Sequence, residues 1–292
     1  MGNNTSKYFI TYGNQKYNIQ RKRLAHQARK LGCFDEVISY SKNNLSFEFK
    51  KKYEKILKND QGGGFWIWKP FILLKLLEET KENDLILYLD AGSTLNPRGR
   101  ERMNEYFQML EESNKSFLRF DIGLKEKYWT SKEVFFALNK DVESVYGNSN
   151  QLAGGVIFIK NTKHSKEYFR HFFKIIDSDL NLITNYYKDN QIAKFKTSRH
   201  DQSLLSLMGK VYDSLILPDE TYFFENPDNQ YEFPILTVRD GNYSLWQKIK
   251  YYSLYFLNIN KIIYFGHKQF YFKKNSILWK VKNKLNSKFI TS

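Results

Sequence analysis

The feature that most constrains the fold is the apolar run LILYLD, residues 85–90, which ends on a single carboxylate. Four aliphatic residues and one tyrosine in succession are typical of a buried strand. Asp90 ends this run, and the small residues Ala91, Gly92 and Ser93 follow it. Ligands of open α/β sheets bind beyond the carboxyl ends of the strands. The run therefore predicts a buried strand and, at its end, a ligand site around Asp90.

Stretches typical of strands and of helices alternate along most of the chain. The predicted strands cover residues 7–11, 35–40, 85–89, 117–120, 156–159 and 215–217. The predicted helices cover residues 18–31, 48–58, 71–79, 100–112, 132–139, 165–176 and 201–208. This alternation is typical of an α/β fold with a central, mostly parallel sheet flanked by helices. We expect one α/β domain over residues 1–240 and a basic, aromatic C-terminal segment over residues 241–292.

Positive charge is concentrated near the C-terminal end of the chain. The formal net charge is +15, and residues 245–292 contain ten lysines, twelve aromatic residues and no arginine, aspartate or glutamate. Lysines among bulky aromatic side chains suit the interface of an anionic membrane. Two other interpretations stay open, which are a helical subdomain packed by its aromatic residues and a nucleic-acid-binding tail that contacts phosphates.

The sequence also bears on cellular location. No stretch approaches the ~18 consecutive apolar residues that span a bilayer, and the first residues lack the apolar region of a signal peptide. The chain has one cysteine, Cys33, which allows no intrachain disulfide and favours a reducing compartment. Its place beside Phe34 favours a role in the core. We therefore expect a cytoplasmic protein that lies peripherally on the inner face of the cell membrane.

The carboxylate of Asp90 has two interpretations. At the ligand edge of a sheet it can bind a divalent cation that holds a diphosphate, because such a cation takes one or two carboxylates and completes its shell with phosphate oxygens and water. Gly92 would let a bulky ligand approach the backbone. Alternatively, Asp90 caps the following loop through an Asx-turn.

The segment GGGFWIWKPF, residues 62–71, combines three glycines with two tryptophans and a Lys-Pro pair. Glycines let the backbone approach a ligand, and the faces of tryptophan stack on sugars or bases. Trp66 and Trp68 are two positions apart, so an extended segment would place them on one face. The alternative is a buried aromatic corner.

Three further segments place small or polar residues next to apolar patterns. In QLAGGVIF, residues 151–158, small residues lead into a strand, which favours either a pocket wall made of backbone or a β-bulge. In RHDQ, residues 199–202, Asp201 suits the first turn of a helix, or it acts as a base or binds acceptor hydroxyls. In IIYFGHK, residues 262–268, His267 is either structural or part of a metal site.

Taken in order, these motifs resemble those of nucleotide-sugar glycosyltransferases of the GT-A fold. The motifs are FITYGNQKY, GCFDEVISY, GGGFWIWKPFILLKLL, NDLILYLDAGSTLN, YWTSKE, LAGGVIFIKNT and RHDQSLLSLM. The nearest comparison is with family 8-like enzymes and the bacterial capsule or lipopolysaccharide transferases around them. The resemblance covers about residues 8–220 and implies that residues 1–240 form one GT-A-like catalytic domain.

The resemblance also implies roles for individual residues. Asp90 matches the first Asp of a D-x-D motif, and Gly92 stands where the second Asp would be, which leaves one carboxylate fewer for Mn²⁺ or Mg²⁺. The implied donor-binding residues are Thr11, Tyr12, Gly13, Arg23, Trp68, Lys69, Asp90, Ala91, Gly92, Gly154, Gly155 and Lys268. The implied metal ligands are Asp90 and His267. The implied catalytic residues are Asp201 and Gln202, and the implied acceptor-binding residues are His200 and Trp129.

The function implied by the resemblance is sugar transfer from a nucleotide-diphosphate donor, expected to be a UDP-sugar, to a hydroxyl of an acceptor. The expected acceptor is a glycan or a lipid-linked molecule of surface polysaccharide synthesis. The expected partners are therefore donor, acceptor and an anionic membrane surface, and no nucleic acid. A different class of function, nucleic-acid binding without catalysis, follows if the basic tail dominates. A nucleotidyltransferase is disfavoured, because residues 12–15 (YGNQ) do not form a glycine-rich phosphate loop.

Overall fold

The computed structural model describes residues 5–221 and 233–237. Within these ranges the chain forms nine strands, eleven α-helical segments and three short 3₁₀ helices. The strands are β1 (Lys7–Tyr12), β2 (Glu36–Tyr40), β3 (Leu85–Asp90), β4 (Thr94–Leu95), β5 (Phe117–Lys125), β6 (Asn150–Leu152), β7 (Val156–Lys160), β8 (Leu215–Pro218) and β9 (Ile235–Leu236). The helical segments are α1 (Asn18–Leu31), α2 (Phe47–Lys52), α3 (Glu54–Leu57), α4 (Gly62–Phe65), α5 (Trp68–Glu79), α6 (Arg100–Glu112), α7 (Glu126–Trp129), α8 (Lys132–Ala137), α9 (Val145–Asn148), α10 (Lys163–Ser178) and α11 (Asp201–Val211).

Seven strands form one central sheet in the order β2-β1-β3-β7-β5-β6, with β8 paired to β5. The pairs β1–β2, β1–β3 and β5–β8 are parallel, whereas β7 is antiparallel to both β3 and β5. With β6 antiparallel to β5, five of the seven strands run in one direction. The predicted α/β fold with a mostly parallel central sheet is thus confirmed. A second, small ladder joins β4 to β9.

The apolar run that ends at Asp90 is the core of this sheet. Alternate side chains of β3 enter two separate clusters, Leu85, Leu87 and Leu89 on one face and Ile86 and Tyr88 on the other. Residues of α1 and α6 cover the first face, and residues of α5, α10 and α11 cover the second. A strand covered by helices on both faces is apolar at every position, which explains why the run lacks alternation.

Several local predictions are confirmed. Helix α1 ends at Gly32, which adopts the left-handed conformation (φ 67°, ψ 29°) of a C-terminal glycine cap. Cys33 is buried in the cluster around β3, as expected for a core residue. Helix α11 begins at Asp201, directly after His200.

Other elements differ from the sequence-based prediction. The single helix predicted over 48–58 is two short helices, because Tyr53 leaves the helical conformation (φ −107°, ψ 24°). Its hydroxyl donates a hydrogen bond to Asp177 of α10. The strand predicted over 117–120 continues to Lys125, because its second half pairs with β6. Such pairing depends on residues that are distant in sequence, so local pattern does not indicate it.

The C-terminal segment 241–292, including His267 and Lys268, lies outside the described residues. Among the residues that are described, no helix is both long and apolar enough to cross a membrane.

Candidate active site

A cleft of about 900 Å³ opens at the carboxyl ends of β1 and β3. In the parallel register of these strands, Tyr12 is paired with Asp90, so both strand ends reach the same edge of the sheet. The residues of the cleft also include Gly154, which lies between β6 and β7, and Asp201, the first residue of α11. The cleft therefore lies where ligands bind in open α/β sheets.

The Asp90 carboxylate faces this cleft with its side chain 39% exposed. Its Oδ1 accepts a hydrogen bond from the Tyr88 hydroxyl at 2.5 Å. Burial, together with the Asp90 charge, raises the pKa of Tyr88 well above its ordinary value, so the hydroxyl stays a donor. The turn after Asp90 is closed by its backbone carbonyl, which accepts from Ser93 N–H. The Asp90 side chain is therefore held by Tyr88. The turn that follows is closed by the backbone and not by an Asx-turn of the Asp90 side chain.

Lys69 brings a buried positive charge to Asp90. Only 2% of its side chain is exposed, and its Nζ lies 2.6 Å from Asp201 Oδ2 and 3.5 Å from Asp90 Oδ1. The ammonium also donates to the carbonyl of Gly154 at 2.9 Å. Lys69 lies in the first turn of α5, where the helix dipole disfavours a cation. The two carboxylates offset that effect.

The charges of this group shift the pKa of Asp201 and the pKa of Lys69. Burial raises the pKa of Asp201 to about 6, and the Asp90 charge adds to this, although the Lys69 ammonium opposes it. Burial alone would lower the pKa of Lys69, but Asp201 and Asp90 together raise it above its ordinary value. One buried cation is therefore shared by two carboxylates, and Asp201 titrates close to neutral pH.

Glycine residues form the wall of the cleft beside these charges. The backbone N–H of Gly154 donates to Gln202 Oε1 at 3.2 Å. The carbonyl of Gly155 accepts from Asp90 N–H at 2.9 Å. A Cβ atom at position 155 would lie 2.7 Å from Asp90 Oδ2, and one at position 154 would lie 2.7 Å from Gln202 Cβ. The predicted backbone wall is therefore present, and its glycines let Asp90 and Gln202 approach it.

Replacing Gly155 with alanine is expected to weaken ligand binding in the cleft by about tenfold or more, which corresponds to ~1.4 kcal/mol. The added Cβ would displace the Asp90 carboxylate, whose oxygen lies too close to that position. Isothermal titration with UDP-glucose and Mn²⁺, the donor class and the cation that the sequence leads us to expect, measures the effect. The control is Gly123→Ala, whose added Cβ would meet no atom within 4 Å. Because Gly123 has a φ of +69°, this change should lower the stability by about 1 kcal/mol. It should leave ligand binding unchanged. Equal affinities for both variants would contradict the expectation.

The aromatic segment differs from its predicted geometry. Residues Gly62–Trp66, which include all of α4, have positive φ values (60°, 59°, 97°, 51° and 58°), so α4 is a left-handed turn and neither a right-handed helix nor an extended segment. The two tryptophans nevertheless both line the cleft. Trp66 stacks on His200 (ring centroids 5.6 Å apart), and Trp68 stacks on Tyr12 (3.8 Å). L-residues rarely adopt this conformation, and the three glycines make most of the turn accessible.

The structure brings most of the predicted site residues together. Those that line the cleft are Tyr12, Gly13, Trp68, Lys69, Asp90, Ala91, Gly92, Trp129, Gly154, Gly155, His200, Asp201 and Gln202. Thr11 is buried within β1 and does not line it. Arg23 does not line it either, because its guanidinium is buried and donates to Thr94 Oγ1 at 3.0 Å and to Ser93 O at 2.7 Å. Arg23 thus holds the loop that follows Asp90.

Sequence reasoning missed two residues that shape the site. Tyr88 lies two positions before Asp90 in β3, so the two-residue period of a strand places both on one face, and this signal was present in the sequence. Gln151 is fully buried and accepts a hydrogen bond from Gln202 Nε2 at 2.8 Å. No local signal predicts that contact, because the two residues are brought together by the packing of α11 against β6.

The described residues offer limited coordination to a divalent cation. In the ranges 5–221 and 233–237, no group of three or more His, Cys, Asp or Glu side chains is arranged to hold a metal ion. Tyr88 and Lys69 both contact Oδ1 of Asp90, and Oδ2 lies beside Gly155. One carboxylate suffices for Mg²⁺ when phosphate oxygens and water complete the shell, so Asp90 fits a cation that arrives with a diphosphate.

Comparison with known proteins gives likenesses in structure only. No family model and no curated protein matches the chain. A glycosyltransferase involved in glycosylation of the major capsid of PBCV-1 matches with 12% identity over 79% of this chain and 92% of that chain, at a TM-score of 0.45. The apo-form glycosyltransferase GlyE of Streptococcus pneumoniae TIGR4 matches with 14% identity (90% and 64%, TM-score 0.43). Mouse xyloside xylosyltransferase 1 matches with 12% identity (73% and 85%, TM-score 0.40). Because these TM-scores lie below 0.5, the function proposed below rests on the residues of the cleft.

Proposed function

We propose that the protein is a GT-A-type glycosyltransferase that moves a sugar from a nucleotide-diphosphate donor, of the UDP-sugar class, to an acceptor hydroxyl. The observation that carries this proposal is the grouping of Asp90, Lys69 and Asp201 at the carboxyl edge of the sheet, within 3.5 Å of one ammonium. This grouping lies in a cleft that is walled by glycine backbone and aromatic rings. Such a site suits a ligand with both a charged part and a sugar.

The donor diphosphate is assigned to the Asp90 side of the cleft. A divalent cation bound by Asp90 would supply positive charge to the departing diphosphate, and Mn²⁺ or Mg²⁺ fits oxygen ligands of this kind. Gly154 and Gly155 line the cleft next to Asp90, and the donor sugar is assigned to the part of the cleft beside their backbone. Lys69 keeps Asp90 and Asp201 in place by its ion pairs.

The acceptor hydroxyl is assigned to Asp201. In its ionised form the Asp201 carboxylate can take the hydroxyl proton as the oxygen attacks the anomeric carbon and the nucleoside diphosphate leaves. A base with a pKa of about 6 is ionised at neutral pH and remains basic enough to accept that proton. Trp129 and His200, which line the same cleft, are assigned to the acceptor.

The biological setting proposed for this activity is surface polysaccharide synthesis on a glycan or lipid-linked acceptor. Residues 245–292 carry +10 of the net charge of +15, and such a basic, aromatic segment suits an anionic membrane surface. The proposal therefore includes a cytoplasmic enzyme held peripherally at the membrane that carries its acceptor.

Thermal unfolding with candidate donors tests the proposed function. UDP-glucose, UDP-galactose and UDP-N-acetylglucosamine are added with and without Mn²⁺, and at least one of them is expected to raise the melting temperature. Binding at a hundredfold excess over Kd stabilises the fold by about 2.7 kcal/mol. Asp90→Asn should lose this stabilisation. The matched control Asp177→Asn, whose side chain pairs with Lys52 and Tyr53 outside the cleft, should keep it.

The absence of any shift with every donor would argue against the transferase, and an unchanged shift in Asp90→Asn would argue against the role of that carboxylate.

A further inference from the structure

A chain of buried polar side chains runs from the interior to Gln202. Glu126, which is fully buried, forms an ion pair with Lys210 at 2.5 Å through Oε2 and accepts a hydrogen bond from Ser206 at the same oxygen. Its Oε1 accepts from Gln151 Nε2 at 3.1 Å. Oε1 of Gln151 accepts in turn from Gln202 Nε2 at 2.8 Å.

Both ends of the Gln202 amide are engaged within the protein. Its Nε2 donates to Gln151, and its Oε1 accepts from the backbone N–H of Gly154 at 3.2 Å. The carbonyl of Gly154 accepts from the Lys69 ammonium at 2.9 Å. Gln202 therefore ties the first turn of α11 to the glycine wall at the point where that wall also contacts Lys69.

The donor-to-acceptor direction of this series of hydrogen bonds is fixed at its buried end, which is Glu126. The Glu126 carboxylate, paired with Lys210, only accepts hydrogen bonds. Gln151 must therefore turn its NH₂ group toward Glu126, and this orientation is reinforced by its second bond to the carbonyl of Trp129 at 3.0 Å. Its carbonyl oxygen then faces Gln202, which must present its own NH₂ group there and its carbonyl oxygen to Gly154. Reversing either amide would bring two acceptors together and leave buried groups unpaired, at about 1–3 kcal/mol for each group.

We propose that Gln151 is a positioning residue for the transfer reaction. It fixes the amide of Gln202, and through Gln202 it holds the Gly154 backbone against which the donor sugar is placed. This inference rests on the proposed function. On this inference, Gln202 supports the glycine wall and does not itself attack the sugar.

A double-mutant cycle on turnover tests this role. Methionine matches glutamine in length and removes both polar ends of the amide, so the variants are Gln151→Met, Gln202→Met and the pair. With the donor that the wild-type protein uses among UDP-glucose, UDP-galactose and UDP-N-acetylglucosamine, each single change is expected to lower kcat for UDP release about tenfold. KM should change less than threefold. The double variant should be no more than about twofold slower than the slower single variant, because both changes break one chain of bonds.

The control is Asn161→Leu, which removes another buried amide. Asn161 donates to the carbonyls of Leu77 and Thr80 and does not line the cleft. It should lower the melting temperature as Gln151→Met does and leave kcat within twofold. Independent effects that multiply in the double variant would overturn the proposal, as would a kcat loss in the control equal to that of Gln151→Met.

A second measurement does not depend on turnover or on a folded Gln151 variant. In the wild-type protein, the side-chain NH₂ resonance of Gln202, assigned by its loss in Gln202→Met, is expected to exchange its hydrogen-bonded proton slowly with solvent. Rapid exchange of both protons would overturn the positioning role. If the wild-type protein releases UDP from none of the three donors, the proposed transferase function fails, and this exchange rate still decides whether Gln151 holds Gln202.

Discussion

Replacing Lys69 with methionine is expected to lower the free energy of unfolding by about 3–5 kcal/mol. The change removes the only positive charge that contacts both Asp201 and Asp90 among the described ion pairs. The Asp201 side chain, which is 5% exposed, would then be buried without its counter-ion and would face a second carboxylate. Urea unfolding of the wild-type and variant proteins at pH 7.5 measures the difference.

The matched control for this prediction is an exposed ion pair. Lys52 lies 2.6 Å from Asp177, but their side chains are 55% and 37% exposed. Lys52→Met should therefore cost at most about 1 kcal/mol. Adding Asp201→Asn to Lys69→Met should recover part of the loss, because it removes the uncompensated buried charge. If Lys69→Met lowered the free energy of unfolding no more than Lys52→Met does, the ion pairs of Lys69 with Asp90 and Asp201 would not stabilise the fold as expected.

Transfer activity is expected to rise with pH through about 6 and to level off above pH 7. The physical reason is that Asp201, whose pKa is raised to about 6 by burial and by Asp90, must lose its proton before it can accept one from the acceptor. Measuring kcat/KM between pH 4.5 and 8 gives the profile, because this ratio reports the ionisation of the free enzyme. Asp201→Asn should lower kcat by about 10²–10⁴ and remove the rise.

The same carboxyl should couple stability to pH with a definite sign. Its pKa in the folded protein, about 6, lies above its ordinary value of 3.8. The folded protein therefore binds this proton more tightly than the unfolded chain does, and protonation of Asp201 stabilises the fold. This stabilisation is fully present below pH 3.8 and is lost as the pH rises through 6. Asp201→Asn should remove this slope from a series of urea unfolding curves, whereas Asp177→Asn should keep it.

A pH profile of activity that is unchanged in Asp201→Asn would exclude this carboxyl as the base.

Two kinds of structural feature differ in how far the sequence predicts them. The buried strand ending at Asp90, the glycine cap at Gly32 and the start of α11 at Asp201 were all predicted, because each depends on neighbouring residues. The break at Tyr53 and the left-handed turn at residues 62–66 were not predicted, since neighbouring elements stabilise conformations that the local pattern does not favour.

The candidate site divides in the same way. Its position at the carboxyl ends of the strands, and the presence there of Asp90, follows from an apolar run that ends on a carboxylate. Arg23 was not placed correctly by the sequence, because helix α1 carries its side chain to Ser93 and Thr94 rather than into the cleft. A side chain's direction depends on how its helix is rotated against the sheet, which residue order alone does not state.

The sequence by itself therefore determined the α/β alternation, the central strand and the edge of the sheet at which a ligand would bind, because these depend on the periodicity and burial of consecutive residues. Only the tertiary structure decided that Lys69 lies between Asp90 and Asp201, and that Gln151 orients Gln202. These contacts join residues that are 21 to 132 positions apart in the chain. They form because α5 and α11 pack on one face of the central sheet, where each buried polar group must find a partner.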